Sequence, residues 1–220
     1  SRVYTSTTLM ELDTLPQRLI IVGGGYIGLE FAAMYANYGS MVTVLEYGTD
    51  FLPREDRDIA NVIQTRLEAL GIRLVFNAQV EEITDENDQT TVGYLDRSSG
   101  DHVTLPADAV LIATGRKAST AELDLEAAGV KMNERGEIIV NELLQTNVPH
   151  IWALGDVKGG LQFTYISLDD SRIIKDQLWG DGKRTATNRG PIPYSMFLDP
   201  VFARVGLNET EALQAGHKIK

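Results

Sequence analysis

Residues 18–46 read RLIIVGGGYIGLEFAAMYANYGSMVTVLE, and the order of residue types within them decides the fold. Arg18 to Val22 is a short apolar run that stops at three glycines, as a parallel strand buried on both faces does. From Gly25 to Tyr38, apolar residues recur at Ile27, Phe31, Ala32 and Met34 with a helical period, and Gly39 is placed to end the helix. Met41 to Leu45 is a second run rich in β-branched residues, closed by Glu46. Strand, glycine turn, helix and strand within about 30 residues make a βαβ unit.

Inside that unit, Gly23-Gly24-Gly25-Tyr26-Ile27-Gly28 fits G-x-G-x-x-G. Gly23 permits the tight turn off the strand, Gly25 lets a pyrophosphate approach the backbone, and Gly28 allows the helix to pack closely on the strand. The helix N-terminus adds free N–H groups and a partial positive charge for the phosphates. A glycine-rich structural turn is the competing reading, but the flanking strand, helix and acid are the context that a dinucleotide site requires. Glu46 stands where an acid accepts hydrogen bonds from an adenine-ribose 2′-hydroxyl, and a carboxylate there repels the extra phosphate of NADP(H). No arginine follows until Arg54, so NAD(H) is favoured over NADP(H). A solvated glutamate at a strand end is the plainer alternative for Glu46.

Outward from this core, a helix is expected from Asp56 to Leu70, opened by acids and stopped at Gly71. A strand near Arg73 to Phe76 follows. Val80 to Thr84, Thr90 to Tyr94 and His102 to Leu105 are strand-like pieces parted by the polar turns Asp85 to Asp88 and Ser98 to Gly100, the pattern of a small antiparallel meander. Ala109 to Ala113 returns as a buried strand. Lys117 to Leu144 is loop-rich, Ile151 to Leu154 reads as another buried strand, and a helix is expected from about Tyr165 to Trp179. Residues 1–17 read as an extended lead-in closed by Pro16. Near the other end, Asn208 with Glu211 caps a helix that the chain end is expected to truncate.

Composition narrows the partners. The 220 residues carry 31 acidic and 20 basic side chains, a formal net charge of −11, whereas a phosphate-backbone binder clusters lysine and arginine. No apolar run approaches the roughly 20 residues of a bilayer span, and no signal-peptide pattern opens the chain. Nucleic acid and membrane are therefore poor partners, and the cytoplasm is the expected location. With no cysteine, these residues hold no disulfide, no cysteine-ligated metal and no thiol for exchange.

Val22 to Glu30, then Ala113-Thr114-Gly115-Arg116, then Ile151 to Asp156 occur in the order used by pyridine nucleotide-disulfide oxidoreductases. The chain resembles that family, which includes glutathione reductase, dihydrolipoamide dehydrogenase and mercuric reductase, over nearly its whole length. Phe51 to Ala60 and Gly159 to Asp170 are most similar to the branch acting on hypothiocyanite or copper(II) in bacterial reactive-chlorine resistance. The resemblance implies an α/β fold: a Rossmann-like NAD(P)-binding domain with an inserted antiparallel meander, then the C-terminal part of an FAD-binding domain and the start of a dimerisation domain. The implied boundaries are a lead-in from the FAD domain over 1–14, nucleotide binding over 15–117, flavin binding over 118–190 and dimerisation from 191 to 220.

The resemblance also assigns roles. Tyr26 would cover the flavin ring until nicotinamide displaces it, although a packing aromatic at a helix start looks the same in sequence. Glu30 would meet a lysine near the flavin, supplied by the family's N-terminal segment, or else be an exposed helical acid. Ile27 lies in the pyrophosphate loop. Val80 would offer its backbone to the adenine, its side chain being core, and Gly115 would let the cofactor pass close. Gly155 and Asp156 would meet the ribityl chain of FAD, though Asp156 alone reads as a turn aspartate. Gln162, Phe163, Thr164 and Tyr165 would open a helix whose positive end faces the flavin pyrimidine edge.

The family's N-terminal FAD unit with its Cys-x4-Cys pair and its C-terminal His-Pro dipeptide are not among these residues. None of His102, His150 and His217 precedes a proline. The loop after Arg116 runs Lys117-Ala118-Ser119 where the family usually has x-Pro-Asn. The expectation is a central fragment that binds NADH, holds FAD poorly and contains no catalytic residue of its own. The implied parent is a homodimer passing hydride to FAD and on to a disulfide or similar small oxidant. A thiol-independent flavin reductase of the ferredoxin or rubredoxin type and a non-catalytic nucleotide-binding module are the alternatives.

Overall fold

The computed structural model describes residues 2–86 and 89–219. The chain forms two compact units, Ser1–Gly115 with Ser195–Lys220, and Arg116–Tyr194.

In the first unit, β1 (Val3–Tyr4), β2 (Arg18–Val22), β3 (Met41–Leu45), β4 (Arg73–Val75) and β8 (Ala109–Ile112) build a five-stranded sheet in the order β1-β8-β2-β3-β4. All its pairings are parallel. The continuous apolar run of β2 follows from burial on both faces, since successive strand residues point to opposite sides. Leu19 and Ile21 enter one core with Val42, Val44, Ala109 and Leu111, joined by residues of α2 (Tyr26–Tyr38) and α3 (Arg57–Ala69). Ile20 and Val22 enter a second core with Leu45, Val110, Val92 and Tyr94. That second core lies under the meander of β5 (Ala78–Glu86), β6 (Gln89–Asp96) and β7 (Asp101–Ala107), all antiparallel.

Helix α2 runs as its period implies, with Gly25 as N-cap and Gly39 closing it in the left-handed region at φ 104°. Helix α3 buries Ala60, Ile63 and Leu67, the i, i+3, i+7 stripe of an amphipathic helix. In the meander, the expected turn at Asp85 to Asp88 is shifted: Asp85 and Glu86 belong to β5, paired with Thr90 and Gln89, while Asn87 and Asp88 lie outside the described residues.

Three segments depart from the sequence reading. The lead-in is not simply extended: β1 pairs with β8, and a four-residue helix α1 (Ser6–Leu9) follows, capped by Thr5 and Thr8. Leu9 is fully buried in the first core, and its carbonyl accepts from the Tyr35 hydroxyl at 2.9 Å. The lead-in therefore groups with the first unit. Ile151 to Leu154 is not a strand. Only an isolated bridge joins Trp152 to Gln145, and Ala153 packs with Val130 and Ile138 while Leu154 is exposed. Finally, α5 (Glu209–Gln214) starts on the expected Asn208–Glu211 capping box but ends by itself at Ala215, ahead of the chain end. It follows β9 (Pro193–Met196) and β10 (Phe202–Val205), which form a two-stranded sheet. The second unit is mostly irregular, with one long helix, α4 (Thr164–Trp179).

Leu9→Ala should cost about 2–5 kcal/mol, the usual penalty for emptying a buried leucine site, whereas the exposed Met10→Ala should cost almost nothing. Urea unfolding of the two variants checks this, and equal midpoints would mean that the lead-in adds nothing to the core.

A second expectation concerns acid. Arg18 donates to Asp108 through Nη2 at 2.6 Å and Nε at 3.2 Å, and this hydrogen bonding holds the Asp108 carboxyl below the usual range. With the folded value below the unfolded one, the tie stabilises above the unperturbed aspartate value of about 3.9 and is lost as pH falls through the lower folded value. Asp108→Asn should therefore be less stable than the unmodified chain at neutral pH and converge with it in strong acid, as thermal melts across pH will show.

Candidate nucleotide-binding site

The site grows from the end of β2. Gly23 N–H donates to Leu45 O at 2.9 Å, and its φ of 108° turns the chain sharply. A Cβ on Gly23 would stand 2.5 Å from Ala113 O, so the segment after β8 leaves room only for glycine. A Cβ on Gly28 would stand 2.2 Å from Gly23 O, which is how closely α2 sits on the strand. Gly25 differs: its Cβ would meet nothing within 4 Å. The first helical bond runs from Leu29 N–H to Gly25 O at 3.0 Å, so the N–H groups ahead of it, at Tyr26 and Ile27 among others, point along the axis out of the helix end. Open space in front of a helix N-terminus suits a pyrophosphate.

Glu46 is half-buried and works on the protein itself. Its Oε2 accepts from Gly24 N–H at 2.6 Å and its Oε1 from Gly48 N–H at 2.7 Å. The carboxylate thus holds the glycine loop, with lone pairs left over for sugar hydroxyls. Next to it, the guanidinium of Arg97 lies 4.3 Å from the Tyr47 ring centroid. Val80 is half-buried against the second core and precedes a bulge at Glu81, where β5 slips against β6. Gly115 has open space around it.

Two of the family-implied residues are tied within the first unit. The Tyr26 hydroxyl donates to Glu55 Oε1 at 2.5 Å, and the buried Glu55 also accepts from Arg204 at 3.3 Å. Glu30 accepts from the Phe197 backbone N–H at 2.8 Å.

In the second unit, Gly155 opens a 3₁₀ turn over Gly155–Lys158 and packs on α4, where its Cβ would stand 2.7 Å from Ser167 Oγ. Gly155 N–H donates to the fully buried Asp170 at 2.9 Å, and Asp170 is paired with Arg189 at 2.6 Å and Lys158 at 3.2 Å. Asp156 pairs with Arg116 at 2.8 Å. Gln162 leads into Phe163, the N-cap of α4, which stacks on Tyr165 at 5.2 Å and on Tyr194 at 5.7 Å. Thr164 is exposed in the first turn, and burial pushes the Tyr165 hydroxyl above its usual pKa. The acid, helix start and aromatic faces fit part of a flavin site. No set of three or more metal-ligating side chains gathers among the described residues.

Within the first unit, then, the structure brings Gly23, Gly25, Gly28 and Glu46 together, and within the second Gly155 abuts the first turn of α4. Sequence reasoning missed Glu55, Arg97 and Asp170. Each acts across a long stretch of chain, and no local motif marks it.

Residues 1–171 match the family described as pyridine nucleotide-disulphide oxidoreductase. The chain is 51% identical over 218 residues to the probable pyridine nucleotide-disulfide oxidoreductase RclA of Escherichia coli, a match covering 99% of this chain and 48% of RclA. Mercuric reductase of Staphylococcus aureus is 36% identical, with 98% of this chain and 39% of the relative covered. The solved HOCl-induced flavoprotein disulfide reductase RclA from Escherichia coli superposes with a TM-score of 0.92 at 50% identity, covering 100% of this chain and 49% of that one. The chain spans about half the length of RclA.

Glu46→Ala strands the Gly24 and Gly48 N–H groups. For partly buried donors the loss should be about 1–2 kcal/mol without any nucleotide present. A urea midpoint equal to that of the unmodified chain would show that the carboxylate does not brace the loop.

Proposed function

The chain belongs to the pyridine nucleotide-disulphide oxidoreductase family, and we propose that it is the nicotinamide-dinucleotide-binding portion of an FAD-dependent reductase using NADH. The observation that carries this reading is the open space at Gly25 in front of the α2 N-terminus, while the neighbouring Gly23 and Gly28 are filled by backbone. A bound nicotinamide would supply hydride-donor chemistry and a bound flavin hydride-acceptor chemistry, so the redox step would lie in the cofactors.

The chain's own residues bind and orient. The glycine loop and helix end receive the pyrophosphate, Glu46 accepts from the adenine ribose, and Gly115 and the Val80 backbone border the cofactor's course. Tyr26 and Glu30 are the residues nearest the reacting ring in this reading. The tether of the Tyr26 hydroxyl to Glu55 fixes where that ring starts from. In the second unit, Asp156 and residues 162–165 of the α4 start serve the flavin, with Asp156 accepting from the ribityl hydroxyls and the helix dipole stabilising an electron-rich ring.

In this reading the whole protein would be a cytoplasmic homodimer, and its electron acceptor would be a disulfide or similar small oxidant. The likeness to RclA, whose solved structures include a Cu(II) complex, makes copper(II) and disulfides the first acceptors to test. No helix among the described residues is long and apolar enough to cross a membrane.

Calorimetric titration should show NADH binding more tightly than NADPH. Gly25→Val should weaken both by tenfold or more while leaving the circular dichroism spectrum unchanged, because the added side chain fills space meant for ligand. Equal NADH affinity in the variant and the unmodified chain would sink the assignment.

A further inference from the structure

The residues following Glu46 offer no cation until Arg54, but the fold supplies one from much further along the chain. Arg97 follows β6. Its backbone N–H donates to Asn77 O at 2.9 Å and its Nη1 to Tyr47 O at 3.3 Å, with the guanidinium 4.3 Å from the Tyr47 ring centroid. Those partners belong to the two segments that flank the adenosine end: Tyr47 directly follows Glu46, and Asn77 directly precedes β5, which carries Val80. The segments are themselves laced together, with Asn77 N–H donating to Gly48 O at 3.0 Å and Ala78 N–H to Glu46 O at 2.9 Å.

Arg97 is exposed on the turn that follows β6. In a molecule of net charge −11, no carboxylate among the described residues comes within ion-pair distance of it. A guanidinium has five N–H donors, and only one is used here, on the Tyr47 carbonyl. The Tyr47 ring under the guanidinium and the Tyr47 carbonyl together restrain the fork before any ligand arrives, which reduces the ordering that binding must impose. Such a fork matches phosphate oxygens two at a time. In dinucleotide sites, an acid at this strand end receives a ribose 2′-hydroxyl, and an arginine nearby accommodates a 2′-phosphate. Here both are present. Each Glu46 oxygen already accepts a backbone N–H, which partly compensates the charge that an incoming phosphate would meet.

We propose that Arg97, held on Tyr47, is the cation of a 2′-phosphate subsite, so that the chain accepts NADPH as a second, weaker donor beside NADH. The proposal rests on the reading that Gly23 to Gly28 holds the pyrophosphate with the adenine ribose at Glu46. Glu46 sets the preference for NADH, and Arg97 sets how far NADPH falls behind.

The test is calorimetric titration of the chain with NADH and with NADPH, in the unmodified form and in Arg97→Ala and Arg97→Lys. The ratio of NADPH to NADH dissociation constants should rise at least tenfold in Arg97→Ala and be partly restored in Arg97→Lys, which keeps a point charge without the fork. In the unmodified chain, added salt should weaken NADPH more steeply than NADH. An unchanged ratio in Arg97→Ala overturns the proposal, whether both affinities fall together, as when Arg97 merely props Tyr47, or neither moves. Tight NADH binding with no measurable NADPH binding by the unmodified chain also overturns it while sparing the nucleotide site. Binding of neither nucleotide overturns both readings.

Discussion

The carbonyl oxygen of Gly23 stands 2.2 Å from where a Cβ on Gly28 would be, so α2 can lie against the end of β2 only because that position is glycine. This contact aims the helix axis. It leaves the N-terminus over the carboxyl ends of the parallel strands, where ligands of open α/β sheets collect. The turn must be tight enough to return the chain within three residues, and Ala113 O closes it from the far side, 2.5 Å from a would-be Gly23 Cβ. Of the glycines in the fingerprint, only Gly25 faces empty space. Backbone crowds the Cβ positions of Gly23 and Gly28, while that of Gly25 between them stays open.

The sheet that carries this turn is held from both sides. Residues of β2 alternate between a core shared with α2 and α3 and a core shared with the meander, so none of Leu19, Ile20, Ile21 and Val22 is exposed. The meander therefore covers the face that a doubly wound sheet would cover with helices. Its position has a consequence at the strand ends. The β6–β7 turn brings Arg97 to Tyr47, and β5 begins beside Gly48, so the insertion braces the segment after Glu46 as well as closing the core.

Much of this was legible because it is local. The glycine spacing, the apolar stripe of α3 and the Asn208–Glu211 capping box each lie within a few residues, and each folds as its pattern implies. The lead-in was not legible. A two-residue strand is too short to show a period, and the Thr5–Thr8 capping box lacks the Glu or Gln that usually marks one. Ile151 to Leu154 misled for the opposite reason, since four apolar residues imitate a buried strand although only part of the run turns inward, onto Val130 and Ile138. Glu55 and Arg97 depend on contacts across 29 and 50 residues respectively, and no window of sequence contains both partners.

The two units solve one problem in two ways. Each places a glycine turn before a helix, and each uses a carboxylate from elsewhere to fix a backbone N–H of that turn: Glu46 for Gly24, Asp170 for Gly155. Asp170 is fully buried, and an unpaired charge there would be costly, so Arg189 and Lys158 both come to it. Glu46 is half-buried and has backbone partners alone. Water can reach it, so no cation is required, and its remaining lone pairs stay available. A carboxylate satisfied by two internal cations is committed to structure. One that is braced by two amides and still wet can hold its loop and receive a ligand at once, which is the chemistry that the adenosine end of a dinucleotide site demands.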